Sequence, residues 1–364
     1  MASNFLSENG RNGAQALASA GPALGAPDVG GVRPQGVSAG AAFEYGQSPP
    51  VISCSVIICA HTMDRWPDIC EAVRSVQVQE TPAREIVLVI DHNRRLLDRC
   101  RESFPGVNVI ENREAKGLSG SRNSGVWAST GDIVAFLDDD AVADPRWITI
   151  MAPLFENPSI CGVGAAAEAR WIGAKSQWFP DEFLWVVGCA YRGLEPGAVR
   201  NGLGCAMGLR RSVFDSIGGF DSRLGRNGSR LPISCEETEF SLRATRANPG
   251  AKLVYTSDAV TEHKVPAERL TFGYFVLRCF AEGVSKARLA QIAGANSLAV
   301  ERSYVLRTLS AGCARGVADG VIRLDAWAVA RSVVILVGLS STVLGYAWER
   351  FGLPLTRPQP IPAG

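Results

Sequence analysis

Short apolar runs alternate along the first half of the chain with longer segments in which apolar residues recur at helical spacing. Four of the runs are rich in β-branched residues and are typical of strands: 54–60, 85–90, 107–110 and 133–137. Helical patterns follow at 67–79, from Arg94 and at 119–130. Because strands and helices alternate with short connections, the pattern predicts an α/β fold with a doubly wound sheet. Ligands of such sheets bind beyond the carboxyl ends of the strands.

Those strand ends are polar and largely acidic: His61, Asp91, and the consecutive Asp138, Asp139 and Asp140. Side chains alternate along a strand, so Asp138 and Asp140 should project together while Asp139 points away. Two neighbouring carboxylates repel each other unless a cation lies close to them. Hard oxygen ligands of this kind suit Mg²⁺ or Mn²⁺, so this strand end is a candidate metal site.

A plainer alternative for the same stretch is a solvated turn before a helix that opens at Asp144 and Pro145. This alternative explains Asp144 well. It does not explain three consecutive aspartates, and the metal site is therefore the favoured interpretation.

Aromatic residues crowd a loop-like stretch between 161 and 211: Trp171, Trp178, Phe179, Phe183, Trp185 and Tyr191. Ordinary core packing and a stacking platform for a sugar or lipid are equal alternatives for them, and Trp178 and Trp185 are candidate acceptor contacts. A helix with acids in its first turn is predicted at 236–246, and a strand at 252–255 leads to His263.

The C-terminal part reads as helices at 266–290 and 297–324, followed by an uncharged run at 332–348. That run could span a membrane, lie in its interface or form a buried helix. Residues 264–324 hold nine basic and four acidic side chains. A basic segment next to an apolar one indicates an anionic membrane surface, so membrane attachment is favoured.

Composition sets broader limits. Hydrophobic residues make up 46% and charged residues 20%, and the net charge of +1 argues against a nucleic-acid partner. Ten scattered cysteines without a Cys-x-x-Cys spacing indicate a reducing compartment. The first residues lack the pattern of a secretory signal, so we expect a cytoplasmic catalytic part.

The predicted organisation has four parts. Residues 1–50, rich in Gly, Ala and Pro, should be disordered, and 51–265 should form the catalytic domain. A helical region at 266–350 and a Pro-rich tail at 351–364 follow.

Together the motifs resemble family 2 inverting glycosyltransferases with the GT-A fold, from about Ser55 to Ala287. The resemblance is carried by the first strand, by the run from Asn112 through Gly125, and by Thr130 through Asp140. Gly218-Gly-Phe-Asp221, Glu236-Glu237 and His263 complete it. Each piece is weak alone, but the order and spacing are specific. A mixed sheet flanked by helices is the fold that the resemblance implies.

The resemblance also implies roles for individual residues. Glu237 falls at the position of the catalytic base, and Asp140 and His263 at metal ligands. Asp91 would contact the nucleotide base and Asp138 the ribose. Further candidates at the nucleotide-sugar site are His61, Lys116, Arg122 and Asp139, and Glu236 is a further candidate at the acceptor.

Three departures from the family pattern affect these roles. Cys59-Ala60-His61 stands where Pro-Thr is common, Asp91-His92-Asn93 replaces Asp-Asp-Gly-Ser, and Glu237 stands where Asp is usual. The Gln-x-x-Arg-Trp signature of processive synthases is absent, which favours transfer of a single sugar.

The expected reaction needs a metal to stabilise the diphosphate leaving group and a general base for the acceptor hydroxyl. Glu237 lies at a helix start, which lowers its pKa, beside Glu236 and Glu239, which raise it; the sequence leaves the net direction open. Considered alone, Glu236–Glu239 would be an ordinary charged first turn, and His263 an ordinary packed histidine.

Three other classes of protein share parts of this pattern. A nicotinamide-dependent dehydrogenase needs a glycine motif after the first strand, yet no glycine occurs between Ser53 and Pro105. A sugar-phosphate nucleotidyltransferase needs a Gly-rich basic loop there, which is also missing. A catalytically inactive nucleotide-sugar-binding or scaffold protein at a membrane is the main alternative. We expect instead a nucleotide-sugar donor, uridine-based or similar, and a glycan or lipid-linked acceptor at the cytoplasmic face.

Overall fold

The computed structural model describes residues 52–226, 228 and 231–352 of the chain. The predicted disorder of 1–50 and most of the predicted Pro-rich tail fall outside the described residues. Within them, nine strands form one sheet: β1 (Cys54–Ala60), β2 (Glu85–Ile90), β3 (Asn108–Glu111), β4 (Ile133–Asp138), β5 (Ala141–Ala143), β6 (Ile160–Trp171), β7 (Gly197–Val199), β8 (Ala206–Arg210) and β9 (Lys252–Val265).

The sheet is mixed, with the strand order β3-β2-β1-β4-β8-β6-β9-β5 and with β7 paired to β9. Strands β1 to β4 are parallel to one another, so their carboxyl ends share one edge. Strand β8 runs antiparallel to both β4 and β6. The predicted α/β fold with a mixed, helix-flanked sheet is confirmed.

Six helices cover the two faces of this sheet: α1 (Trp66–Gln77), α2 (Arg94–Ser103), α3 (Leu118–Ala128), α4 (Trp147–Met151), α5 (Arg211–Ile217) and α6 (Glu236–Ala247). Helices α1, α2 and α4 pack on one face, and α3, α5 and α6 on the other. Strands β1, β2 and β4 are buried from both sides, which explains their continuous apolar sequences. All ten cysteines are free thiols, buried or half-buried.

Strand β9 is much longer than the predicted strand at 252–255. It continues through His263 and pairs in parallel with β6 along most of its length, with a register shift between Gly164 and Ala166. Its last part also pairs with β5, where Ala141 lies opposite His263. This pairing fixes His263 beside the end of β4.

The C-terminal region consists of α7 (Phe272–Ala293), α8 (Ala299–Ser303), α9 (Ser310–Ile322) and α10 (Ala326–Phe351). A π-helical turn at Tyr304–Leu309 interrupts the helix predicted at 297–324. The apolar run 332–348 lies within α10, whose 26 residues have the length and hydropathy of a membrane span. About two fifths of its most apolar window, 39%, is nevertheless buried inside the protein.

Candidate active site

Asp138, Asp140 and His263 converge at the carboxyl end of β4. The Nε2 atom of His263 lies 3.3 Å from Oδ1 of Asp140. One potential ligand atom from each residue lies within 4.8 Å of the others. Two carboxylates and an imidazole are a donor set that fits Mg²⁺ or Mn²⁺, so these residues could hold a divalent cation.

Asp140 presents its two oxygens to different partners. Oδ2 faces Arg65 at 3.3 Å and Arg269 at 3.2 Å, while Oδ1 faces His263. Burial acts to raise the pKa of the Asp140 carboxyl, but His263 and the two arginines hold that pKa well below its usual range. Asp140 is therefore an anion throughout the physiological pH range, with Oδ1 turned toward the imidazole.

Asp139 does not belong to this group of ligand atoms, and it lies in the turn that follows β4 and not in the strand. Its Oδ1 accepts a 2.6 Å hydrogen bond from Nη1 of Arg65. Its buried Oδ2 has no hydrogen-bond partner within the part of the chain that the structure describes. Burial raises the pKa of Asp139 despite the nearby guanidinium. The structure thus separates Asp139 from Asp138 and His263, and its contact with a nucleotide sugar stays a prediction.

A cavity of about 660 Å³ opens beside the candidate metal site formed by Asp138, Asp140 and His263. Asp138 and His263 line it, as do Arg122, Glu236 and Glu237 from the other side. Asp138 and His263 therefore share one cavity with Glu237, the candidate base. A cavity of this size is typical of a small-molecule site.

Glu237 lies in the first turn of α6, where Cys235 adopts the left-handed conformation with φ 79° and sets the entry into the helix. Burial and the neighbouring Glu236 raise the pKa of Glu237 to about 8, and Arg122 opposes this only in part. The direction that the sequence left open is upward, and its main cause is burial, a contribution that the sequence did not show. A carboxylate with such a pKa is a stronger base than an ordinary glutamate.

Arg122 bridges the two ends of this site. Its buried guanidinium donates to Oε1 of Glu236 at 2.9 Å and to the carbonyl of Gly204 at 2.8 Å. The same group lies 3.5 Å from Oδ1 of Asp138. Helix α3 therefore places the positive charge of Arg122 between Asp138 of the candidate metal site and Glu236 of α6.

Asp91 anchors a neighbouring loop. Its carboxylate accepts hydrogen bonds from Nδ2 of Asn112 at 2.8 Å and from the Gly117 amide at 3.0 Å. Lys116 and His61 are exposed beside this loop, and neither lines the cavity. Asp91 thus holds together the loop at which the family resemblance predicts a contact with the nucleotide base.

The two candidate tryptophans differ in position. Trp178 packs against Phe179, Phe272 and Phe275 in an aromatic cluster, which corresponds to the core alternative. Trp185 lines the cavity and donates from Nε1 to the Tyr304 hydroxyl at 3.0 Å. Only Trp185 is therefore placed to meet a ligand in this cavity.

Sequence reasoning missed an ionic network along another wall of the cavity. Its members are Arg200, Arg278, Glu282, Lys286 and Glu301, all of which line the cavity. Glu282 pairs with Arg278 at 3.2 Å and with Lys286 at 3.1 Å. The spacing of four residues along α7 was a readable signal, because such residues share one helix face.

Comparison with solved structures defines the class of fold. The chain is similar to the mannosyltransferase PcManGT from Pyrobaculum calidifontis in complex with GDP-Man and Mn²⁺, with a TM-score of 0.52 and 17% identity. The match covers 80% of this chain and 87% of that one. The fold is GT-A, as the sequence motifs implied.

Comparison of sequences defines the family. Residues 55–218 match the model of Glycosyl transferase family 2. The chain is 35% identical over 238 residues to a glucosyl-dolichyl phosphate glucuronosyltransferase of Haloferax volcanii, covering 64% of this chain and 75% of the relative. It is 27% identical over 237 residues to the succinoglycan biosynthesis protein ExoM of Rhizobium meliloti, covering 62% and 72%. The chain belongs to glycosyltransferase family 2 and is a glycosyltransferase, which confirms the predicted family and enzyme class.

Proposed function

We propose that this enzyme transfers a single sugar, with inversion, from a nucleotide-sugar donor to a hydroxyl of a glycan or lipid-linked acceptor. The observation that carries the proposal is the shared cavity, which brings Asp138 and His263 together with Glu237. The acceptor is supported by the dolichyl phosphate in the name of the Haloferax relative.

Asp138, Asp140 and His263 would hold Mg²⁺ or Mn²⁺. The ion, when bound, would act as a Lewis acid that stabilises charge on the diphosphate leaving group. PcManGT, with the same fold, is described with GDP-Man and Mn²⁺. Asp91, His61, Lys116 and Arg122 would border the nucleotide.

Glu237 would act as the general base. Its carboxylate takes the proton of the acceptor hydroxyl, and the oxygen attacks the anomeric carbon from the face opposite the diphosphate. The new glycosidic bond forms as the bond to the diphosphate oxygen breaks, and this displacement inverts the anomeric centre. Its raised pKa and its place in the cavity wall support this role.

Trp185 would meet the acceptor, because it lies in the cavity wall with a half-buried aromatic ring. Trp178 packs in the aromatic cluster, and Glu236 is held by Arg122. These two residues would support the acceptor end indirectly. The carboxylates at the site favour catalysis over the rival interpretation of an inactive scaffold.

The enzyme would work at the cytoplasmic face of a membrane, attached through its C-terminal region. Helix α10 supports this placement by its length and hydropathy. The basic stretch at 264–324 supports it by attraction to anionic lipid.

Donor binding with and without Mn²⁺ tests the proposal. We expect isothermal titration with a panel of uridine and guanosine diphosphate sugars to detect one donor class, with binding lost after chelation and restored by Mn²⁺. Asp140→Ala should abolish this metal-dependent binding. Asp144→Ala, four residues along and only half-buried, is the matched control and should bind normally. Donor binding that survives both chelation and Asp140→Ala contradicts the metal site.

A further inference from the structure

Exposed apolar side chains are concentrated at the C-terminal end of the structure. Nineteen large hydrophobic side chains are exposed among the described residues, and twelve of them lie between 306 and 351. Val333, Leu336, Val343 and Leu344 form one outward stripe on α10 at helical spacing. Single exposed apolar residues are normal, but such a concentration marks an interaction surface.

The opposite face of α10 packs against α7. Gly345 lies directly against the backbone of Phe280 in α7. The Ser341 hydroxyl donates to the Val276 carbonyl at 2.9 Å, and Arg288 pairs with Glu349 at 2.9 Å. These contacts run along the helix and hold it lengthwise on α7.

Helix α10 is also part of the cavity wall, through Leu339 and Thr342. A helix that crosses a bilayer must be surrounded by lipid or by other membrane-spanning segments. Polar and charged groups are costly in the hydrocarbon region of the bilayer. Helix α10 could cross only by leaving α7 and opening the cavity, or by drawing charged residues such as Arg278 and Glu282 into the hydrocarbon. Both routes are expensive. Its length alone therefore does not make it a span.

Charge identifies the occupant of the outward surface. Between 302 and 350 the chain carries six arginines and three acidic residues. Arg302, Arg307, Arg323 and Arg350 in this segment are exposed. A second copy of this surface would meet like charge, whereas anionic lipid headgroups would be attracted.

The segment 300–309 connects this surface to the cavity. Tyr304 and Leu309 line the cavity, while Leu306 in the same turn is 74% exposed. The wall of the cavity and the apolar surface are thus two sides of one short segment. An acceptor sugar could enter there while its lipid anchor stays in the membrane.

We propose that α9 and α10 lie in the plane of an anionic membrane interface without crossing it, and that 300–309 brings the cavity to the lipid. The acceptor is then a sugar on a membrane-embedded lipid carrier. This inference rests on the proposed function, whose donor side it leaves unchanged.

Vesicle flotation of the full chain tests the surface. We expect binding to phosphatidylcholine vesicles that contain phosphatidylglycerol and weaker binding without it. Leu336→Glu with Leu344→Glu should reduce the bound fraction roughly tenfold or more, because both side chains are more than half exposed on the stripe. The control, Val78→Glu with Ile172→Glu, changes two similarly exposed apolar residues elsewhere and should bind like the parent chain.

Donor binding measured on the same variants separates the two proposals. Normal donor binding with lost flotation supports the membrane surface. Unchanged flotation of the Leu336 and Leu344 variant overturns it, whatever the donor result. Self-association that this variant abolishes, without any vesicle binding, would assign the surface to a second copy instead.

Labelling of helix ends distinguishes lying in the interface from spanning. Trp327→Cys and Phe351→Cys place thiols at the two exposed ends of α10. With vesicles present, a membrane-impermeant maleimide added outside should label both above the background of the parent chain. Protection of one end alone would show a spanning helix and overturn the proposal.

Discussion

Two adjacent glutamates at the start of α6 have different surroundings and therefore different chemistry. Both line the cavity, but Glu236 accepts a hydrogen bond from Arg122, whereas Glu237 has a raised pKa. The negative charge of Glu236 is one cause of that raised pKa. At the scale of single residues, burial and the immediate neighbour in sequence together raise the pKa of the proposed base.

Glu237→Gln should bind the donor normally and lose transfer by about 10²–10⁴-fold, because the amide cannot accept the acceptor proton. Glu237→Asp, which keeps the acid on a shorter side chain, should retain part of the activity. Steady-state kinetics with donor binding measured alongside checks both. A Glu237→Gln enzyme with full turnover would remove Glu237 from the role of base.

The pH profile should report the same carboxyl. Because the base works only when deprotonated and its pKa is raised, kcat/KM should climb with pH through a range well above that of an ordinary glutamate. Glu236→Gln removes the neighbouring negative charge, so this limb should move to lower pH. A limb that stays in place, or moves upward, would contradict the assignment.

At the scale of elements, pairing between strands brings together the residues of the candidate metal site. His263 and Asp140 are 123 positions apart in sequence, yet the pairing of β5 with β9 sets Ala141 opposite His263.

Helices α7 and α10 also approach each other closely, since Gly283 of α7 lies against the carbonyl of Thr342 in α10. Small residues are what permit such contacts between helices.

Gly283→Ala should lower the melting temperature, because its Cβ would collide with the Thr342 carbonyl and force the two helices apart. A cost of about 1–3 kcal/mol is typical of such overpacking. Gly273→Ala is the control, since a Cβ there meets nothing within 4 Å, and alanine favours a helix more than glycine does. Calorimetry of both should show a loss for the first and none for the second; equal stability would contradict the close packing.

The sequence predicted some elements far better than others, for physical reasons. β1, β2 and β4 are buried on both faces, so their apolar runs mark them clearly. β9 was predicted to end at Tyr255, because Ser257 and Asp258 interrupt the apolar pattern before the strand resumes. Family motifs singled out Asp140, Glu237 and His263. The structure brings Asp140 close to His263 and places His263 in one cavity with Glu237, while their catalytic roles stay predictions. The spacing of Arg278, Glu282 and Lys286 was readable, but their burial was not, because charges on a helix usually face solvent.

At the scale of the whole molecule, the catalytic cavity and the apolar surface are built from the same helices. Tyr304, Leu339 and Thr342 belong to the C-terminal region and line the cavity together with the sheet residues Asp138 and His263. The same helices therefore carry both exposed apolar residues and residues that line the cavity. The proposed membrane surface and the entry to the cavity therefore belong to one structural unit.

This shared construction has a practical consequence for preparing the enzyme without detergent. Cutting the chain before α10 would remove Leu339 and Thr342 from the active-site wall and uncover Phe183 and Phe275, against which Gly338 packs. Solubility should instead be sought by exchanging the outward residues of α10 for polar ones, leaving the inward glycines untouched. The last helix of the described chain therefore contributes to the wall of the cavity in which we propose that sugar transfer takes place.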